Sequence, residues 1–235
     1  YMTLTHAADN QICDSSYDSR NTWNGLSDFG RKVVREMNKI GMMIDVSHCT
    51  DKTFYDILEI TNKPLVATHS SPRKFTPNFE RNMSDNMIKD LANNNGLIML
   101  NFGSGFISKQ SNKSFGDINS KVKKYKIENN LEDSDKKLLK YKDDLINTAK
   151  PFASINDFID TIDHVKELVG IDHIGLGSDF EGLGNTLPYD LKDASTYPNI
   201  LYNLLEREYS EIEIKKICSD NLFRVWNANL QNRQI

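Results

Sequence analysis

Short apolar runs alternate with amphipathic segments along this chain, and two of the apolar runs end in histidine. The segment GMMIDVSHCT (41–50) closes its apolar stretch on Ser47 and His48, and KPLVATHSS (63–71) leads directly into His69. Continuous apolar runs of this length are typical of buried parallel strands. The pattern therefore predicts two strands that each deliver an imidazole at the carboxyl end.

The same alternation of strand and helix continues over the whole chain. The predicted strands are YMTLTH (1–6), MMIDVSH (42–48), PLVATHS (64–70), LIMLNF (97–102) and HIGLGSDF (173–180). Amphipathic helices are predicted to begin at the N-caps Ser27, Thr50, Ser84 and Ser154, and a Ser210–Glu213 capping box precedes a last helix. Strands joined by helices in this order indicate an α/β fold with a parallel sheet.

Two architectures fit that order, a doubly wound sheet and a (β/α)8 TIM-type barrel. No glycine-rich phosphate loop follows a strand, because GLGSDFEG (175–182) is not GxGxxG and opens no helix. Four predicted strands end in His6, His48, His69 and Asp179, and barrels build their active sites from strand carboxyl ends. We therefore predict a single barrel domain over residues 1–235, incomplete, with about five of the eight strands that a barrel needs.

Composition excludes several classes of function. The 235 residues are 38% hydrophobic, with a net charge of −4 and a pI near 5.8, so no overall basic field attracts nucleic acid. No apolar run reaches the roughly 20 residues that cross a bilayer. Residues 109–150 hold 11 lysines and 7 acids with interspersed signs, which predicts a solvated helical insertion. Cys13, Cys49 and Cys218 lack CxxC spacing, which disfavours a disulfide framework or a structural zinc site.

The residues at the strand ends suggest metal chemistry. Imidazoles on neighbouring strands could reach one metal ion, and a carboxylate on the last strand could move protons. Because side chains alternate along a strand, His69 is expected on the same face as Ala67, and His48 on that of Val46. Asp179 is expected beside Gly177, whose missing side chain leaves space.

Six blocks of sequence carry a resemblance to a known family. They are YMTLTH, GLSDFGRKVVREMNKIGMMIDVSH, PLVATHSS, RNMSD, NFGSGFI and DHIGLGSDFEG. In this order they resemble the membrane (renal) dipeptidase family of zinc peptidases, which belongs to the amidohydrolase-type barrels. The resemblance runs from residue 1 to about residue 228 and is weakest over 109–150.

The resemblance implies a role for each matched residue. His48 and His69 match the two strand-end histidines that bind zinc, and His6 matches the histidine that faces the substrate carbonyl. Arg81 matches the arginine that holds the terminal carboxylate of the substrate, and Asp179 matches the aspartate that handles the proton and the substrate amine. The implied cofactor is a pair of zinc ions, and the implied reaction is hydrolysis of a dipeptide.

Two departures from the family pattern are visible. The first-strand His-x-Asp pair and the glutamate that bridges the zinc ions are absent, so the chain resembles the carboxyl-terminal two-thirds of a longer protein. The family usually reads DFDG where this chain has Asp179, Phe180, Glu181 and Gly182. We expect Glu181 to keep the charge of a loop residue.

Two alternatives to a zinc dipeptidase stay open at this stage. One is another amidohydrolase-type activity, such as that of a lactonase or phosphotriesterase, which would not need Arg81 as a carboxylate clamp. The other is a catalytically inactive truncated homologue, because two histidines cannot hold two zinc ions. Beyond a dipeptide, the sequence indicates no nucleic-acid partner and no membrane-spanning segment, and open sheet edges are compatible with a homodimer. Cellular location stays open, since family members can be membrane-anchored, exported or cytosolic.

Overall fold

A five-stranded parallel sheet forms the centre of the computed structural model, which describes residues 1–231. The strands are β1 (Met2–Thr3), β2 (Ile44–Asp45), β3 (Val66–Ser70), β4 (Leu97–Leu100) and β5 (Ile174–Leu176). They lie in the order β1-β2-β3-β4-β5, and every neighbouring pair is parallel. Because the spatial order follows the chain without reversal, the sheet is part of a barrel wall rather than a doubly wound sheet. The predicted α/β fold with a partial barrel is confirmed.

Helices connect the strands, and five of the eleven α-helices over residues 1–231 begin where the sequence predicts. The side chains of the four predicted N-caps each accept a hydrogen bond from a first-turn backbone N–H. The capping box of Ser210 and Glu213 is also present, but five residues of π-helix, Lys216–Asp220, interrupt the predicted last helix. The helices are α1 (Asp28–Ile40), α2 (Asp51–Ile60), α3 (Asp85–Asn93), α4 (Ser104–Ile107), α5 (Lys109–Glu128), α6 (Lys136–Ala149), α7 (Ile155–Val169), α8 (Phe180–Leu183), α9 (Tyr197–Glu206), α10 (Glu211–Lys215) and α11 (Asn221–Leu230).

The lysine-rich insertion is helical, as its sequence predicts. It contains α5 and α6, which pack against each other with the Tyr125 and Tyr141 rings stacked at a centroid distance of 4.1 Å. Ile118, Leu138 and Ile146 of these helices are buried, while most lysines are exposed. None of the helices over residues 1–231 has the length and apolar character needed to cross a membrane.

Two apolar layers leave the carboxyl end of the sheet free. The larger layer packs Ala67, Leu100 and neighbouring strand residues against the helices, with Phe158 fully buried. A smaller layer lies on the opposite face of the sheet, where Val225 of α11 packs against strand residues. The side chain of Asn229 donates to the carbonyl of Pro64, just before β3, so α11 crosses the amino-terminal end of the sheet. The opposite end, where the predicted site residues lie, is not covered by α11.

Candidate active site

The strand carboxyl ends bring the predicted histidines together at one rim. His6 follows β1, His48 follows β2, and His69 is the second-last residue of β3. The Nε2 atoms of His48 and His69 are 2.9 Å apart, and the ring centroids of His6 and His48 are 4.3 Å apart. His48 is buried, His69 is half-buried and His6 is exposed. Three imidazoles from three successive strands therefore share one site.

Local backbone irregularity aims these side chains, so the prediction from strict alternation is wrong for His69. The pairing register of β3 with β4 shifts between Ala67 and Ser70. Ala67 consequently faces the helix layer, whereas His69 lines the inner cavity beside Thr68. His48 lies beyond the end of β2 with a φ of 69°, in the left-handed region, where strand alternation no longer applies.

Burial and the nearby guanidinium of Arg81 favour the neutral form of both facing imidazoles. The pKa of His48 is lowered to about 2, mainly by burial, with contributions from Arg81, His69 and His6. The pKa of His69 is also lowered, by burial and then by Arg81, while Asp45 and Asp179 partly oppose that effect. Neutral imidazoles carry a nitrogen lone pair, which is the form that binds a metal ion.

Arg81 is a buried arginine with no acidic partner in the described residues. It is 3% exposed, and the loop between β3 and α3 carries it to the same rim. Its guanidinium donates to Ser70 Oγ and to the His69 carbonyl, both at 2.8 Å, and its Nε has no hydrogen-bond partner over residues 1–231. No carboxylate lies within salt-bridge distance in this part of the chain. Burial lowers the pKa of Arg81. The guanidinium N–H groups that have no partner in the described residues remain available to a bound anion.

Asp179 completes the rim from the last strand. It follows β5 with a φ of 56°, and its Oδ2 accepts a hydrogen bond of 2.9 Å from Asn101, which follows β4. Although Asp179 stands directly before α8, its side chain makes no capping bond to that helix. A Cβ at Gly177 would lie 2.2 Å from the Thr68 carbonyl, so this glycine is needed for close approach of the chain to β3. Glu181, the departure from the family pattern, is exposed.

A cavity runs along the inner face of the sheet from this rim. Its volume is about 610 Å³, and its lining includes Thr68, His69 and Asp179 at one end and Met43 and Trp226 at the other. The polar groups therefore lie at the carboxyl end of the inner face of the sheet, with apolar side chains below them, and this is the end at which barrels build their active sites.

The donor set fits part of a zinc site. Two nitrogens that both bind a tetrahedral zinc ion at about 2.0–2.1 Å lie roughly 3.3 Å apart, and the Nε2 atoms of His48 and His69 are separated by 2.9 Å. Within residues 1–231, no group of three or more histidine, cysteine or acidic side chains is placed to hold a metal ion. The described residues thus bring two candidate ligand nitrogens together, without a third in the same place.

Sequence reasoning missed three polar residues that support the site. Asp45 is fully buried within β2, Thr68 contacts the ring of His69, and Asn101 contacts Asp179. Each interrupts or ends an otherwise apolar strand. A buried polar group inside a strand needs a hydrogen-bond partner. Polar residues within these apolar runs could therefore have been recognised from the sequence as candidates for supporting the site.

With this geometry in view, comparison with known proteins decides the family. The membrane dipeptidase family, peptidase family M19, matches residues 1–234. This chain belongs to that family. Dipeptidase tcpJ of Claviceps purpurea is 32% identical over 225 residues, covering 96% of this chain and 43% of tcpJ. An uncharacterized dipeptidase of Schizosaccharomyces pombe is 32% identical over 229 residues, covering 97% of this chain and 46% of that protein. The chain therefore spans a little under half the length of these M19 relatives.

Solved structures share the fold of this M19 chain. The probable dipeptidase PvdM from Pseudomonas aeruginosa matches with a TM-score of 0.80 at 24% identity, over 98% of this chain and 62% of PvdM. A metallo peptidase from Rhodobacter sphaeroides, liganded with a phosphinate mimic of the dipeptide L-Ala-D-Ala, matches with a TM-score of 0.67 at 26% identity. That match covers 87% of this chain and 47% of the Rhodobacter protein. The resemblance inferred from the sequence blocks is confirmed.

Proposed function

We propose that this chain forms part of a zinc-dependent dipeptidase. The observation that carries the proposal is the buried guanidinium of Arg81, partly unpaired within residues 1–231, beside the facing Nε2 atoms of His48 and His69. A buried cation without a carboxylate is costly unless a ligand supplies the anion. The free carboxylate of a short peptide is such an anion, and an arginine fork binds it with two parallel hydrogen bonds.

Metal binding is assigned to the two neutral imidazoles. His48 and His69 would each contribute Nε2, since these atoms face one another. When bound, zinc supplies Lewis-acid polarisation of the scissile carbonyl and lowers the pKa of water. His6 is exposed at the rim and adjacent to the His48 ring, and it would donate to the carbonyl oxygen as negative charge develops there.

Substrate orientation and proton transfer are assigned to the remaining pair. Arg81 would fix the carboxylate, which restricts the substrate to peptides that end close to the scissile bond. Asn101 holds Asp179 Oδ2, which leaves Oδ1 to accept the substrate amine and to pass a proton to the leaving nitrogen. A neutral ester would make no use of Arg81, so the same observation disfavours a lactonase or phosphotriesterase.

The complete zinc site requires residues beyond those in this chain. The curated relatives are more than twice as long as the matched region, and we propose that a His-x-Asp pair and a glutamate outside residues 1–235 supply the other ligands of a two-zinc centre. The 235 residues would then be one portion of a single metal-dependent hydrolase barrel, with 109–150 as an insertion.

Zinc content and dipeptide hydrolysis of the full-length protein test this proposal. We expect hydrolysis of unblocked dipeptides that is abolished by a chelator and restored by zinc, and loss of bound zinc in His48→Ala and His69→Ala. His173→Ala is the matched control, because His173 bonds to the Gly96 carbonyl at the opposite end of the sheet. Zinc content that is unchanged in both rim variants, or no hydrolysis of any dipeptide by the zinc-loaded protein, would refute the proposal.

A further inference from the structure

A buried carboxylate links three strands beneath the histidines. Asp45 is fully buried in β2, and its Oδ1 accepts from the backbone N–H groups of Ser47 and Thr68, both at 2.9 Å. Its Oδ2 accepts the hydroxyl protons of Thr3 at 2.6 Å and Thr68 at 2.7 Å. Four donors therefore converge on Asp45, and the two hydroxyls come from the strands on either side of β2.

This arrangement determines which nitrogen of His69 carries the proton. The Thr68 hydroxyl has a single hydrogen, and that hydrogen points to Asp45. Thr68 Oγ1 also lies 2.8 Å from His69 Nδ1. Since the only hydroxyl hydrogen is already used, the oxygen can act only as an acceptor toward the ring, and Nδ1 must be the protonated nitrogen. His69 Nε2 is then left with a bare lone pair that faces His48 Nε2.

We propose that Asp45 and Thr68 are positioning residues that lock His69 in the Nδ1–H tautomer and aim its Nε2 lone pair into the rim of the site. A histidine that binds a metal through one nitrogen commonly donates from the other to a polar group, and that contact fixes the tautomer and the ring orientation. Here the contact is indirect, with a threonine hydroxyl between the carboxylate and the imidazole. The link to zinc rests on the proposed function, but the tautomer itself does not.

Thr68→Val in the full-length protein is the sharpest test. Valine keeps the branched shape at Cβ and removes only the hydroxyl, so the strand is expected to fold. Thr3→Val is the matched control, because it removes the other hydroxyl from the same oxygen of Asp45 without contacting His69. Thr68→Ser restores the hydroxyl and should rescue the effect.

Two readouts separate positioning from a general structural role. In ¹⁵N-histidine NMR spectra of the zinc-free protein, wild type, Thr3→Val and Thr68→Ser should show His69 as the Nδ1–H tautomer, and Thr68→Val should not. Chelator competition should show zinc affinity about 10–100-fold weaker in Thr68→Val, with a change of less than about threefold in Thr3→Val.

Three results would overturn the inference: an Nε2–H tautomer of His69 in wild type, an unchanged tautomer in Thr68→Val, or equal loss of affinity in Thr3→Val and Thr68→Val. If the tautomer depends on Thr68 but the protein hydrolyses no dipeptide, the positioning role stands and the proposed function fails. If the protein hydrolyses dipeptides but the tautomer of His69 does not depend on Thr68, the proposed function stands and the positioning role fails.

Discussion

Replacement of Arg81 by glutamine should strongly reduce dipeptide hydrolysis without a matching loss of stability. In the fold, Arg81 uses two of its five N–H donors, on Ser70 Oγ and the His69 carbonyl. Both acceptors are neutral, so the buried charge is not compensated by a carboxylate in the described residues. Its cost of burial offsets much of the contribution from those two bonds, and we expect the free energy of unfolding to change by less than about 1 kcal/mol.

The expected effect on catalysis is much larger. Each hydrogen bond to a charged group contributes about 1.5–3 kcal/mol, and a bidentate carboxylate contact contains two. Loss of about 3–6 kcal/mol corresponds to a fall of roughly 150- to 25,000-fold in kcat/KM, at 1.36 kcal/mol for each factor of ten. The assay compares unblocked dipeptides with the same dipeptides amidated at the carboxyl end, using zinc-loaded full-length protein.

Arg73 provides a control from the same loop. Its fork binds Asp51 through two bonds of 2.8 and 2.5 Å, and its Nε donates to the Asn82 carbonyl. Arg73→Gln should lower the free energy of unfolding by about 1 kcal/mol and change kcat/KM only a few-fold. The reasoning is refuted if Arg81→Gln retains kcat/KM within about threefold, or if wild type cleaves amidated dipeptides as fast as free ones.

Three further predictions concern the active site, acid stability and the core. Asn101→Ala should lower kcat/KM about 10- to 150-fold, because Asp179, which is assigned to substrate binding and proton transfer, loses its orienting hydrogen bond of 2.9 Å. Glu213, whose pKa is lowered to about 2 mainly by Lys166 and the Ser210 cap, should stabilise the fold above pH 4.5 by about 1 kcal/mol after solvent screening. In urea titrations, the difference between wild type and Glu213→Gln should therefore vanish as the pH falls from 4.5 toward 2. Phe158→Ala should cost about 3–5 kcal/mol in unfolding free energy, because the ring is fully buried 4.5 Å from Phe102.

Each of these three predictions has an outcome that would contradict it. An unchanged kcat/KM in Asn101→Ala would show that Asn101 is not needed to orient Asp179. A stability difference for Glu213→Gln that persists at pH 2 would remove the ionised carboxylate as its cause. Phe223→Ala is the control for Phe158→Ala, since Phe223 is 53% exposed, and equal losses in the two variants would contradict the burial argument.

Local sequence signals predicted most of the fold because the underlying interactions are local. A serine at an N-cap binds an N–H within the same turn, so Ser27 and Ser84 mark helix starts without knowledge of the rest of the chain. Gly170 ends α7 in the same local way. The helix α9 was missed because the residue before it, Thr196, makes no side-chain capping bond, although Pro198 in its first turn is typical of a helix start.

The candidate site could be predicted only as a set of residues. Strand-end polarity and the six family blocks identified His6, His48, His69, Arg81 and Asp179, and the family is confirmed by the match over residues 1–234. Their roles stay proposals, because the geometry supports them without testing them. The alternation of side chains along a strand predicted the wrong face for His69. The register shift in β3 that changes its direction depends on pairing with β4 rather than on the sequence of β3 alone.

The sequence by itself therefore determined the order of strands and helices, the caps and the identity of the residues at the rim. Only the tertiary structure decided that Asp45 would reach Thr3 and Thr68, which lie 42 and 23 residues away along the chain. Such contacts depend on the register between parallel strands, and that register is set by how the connecting helices pack against the sheet. Propensity and periodicity act over a few residues, so they cannot specify a hydrogen bond between strands.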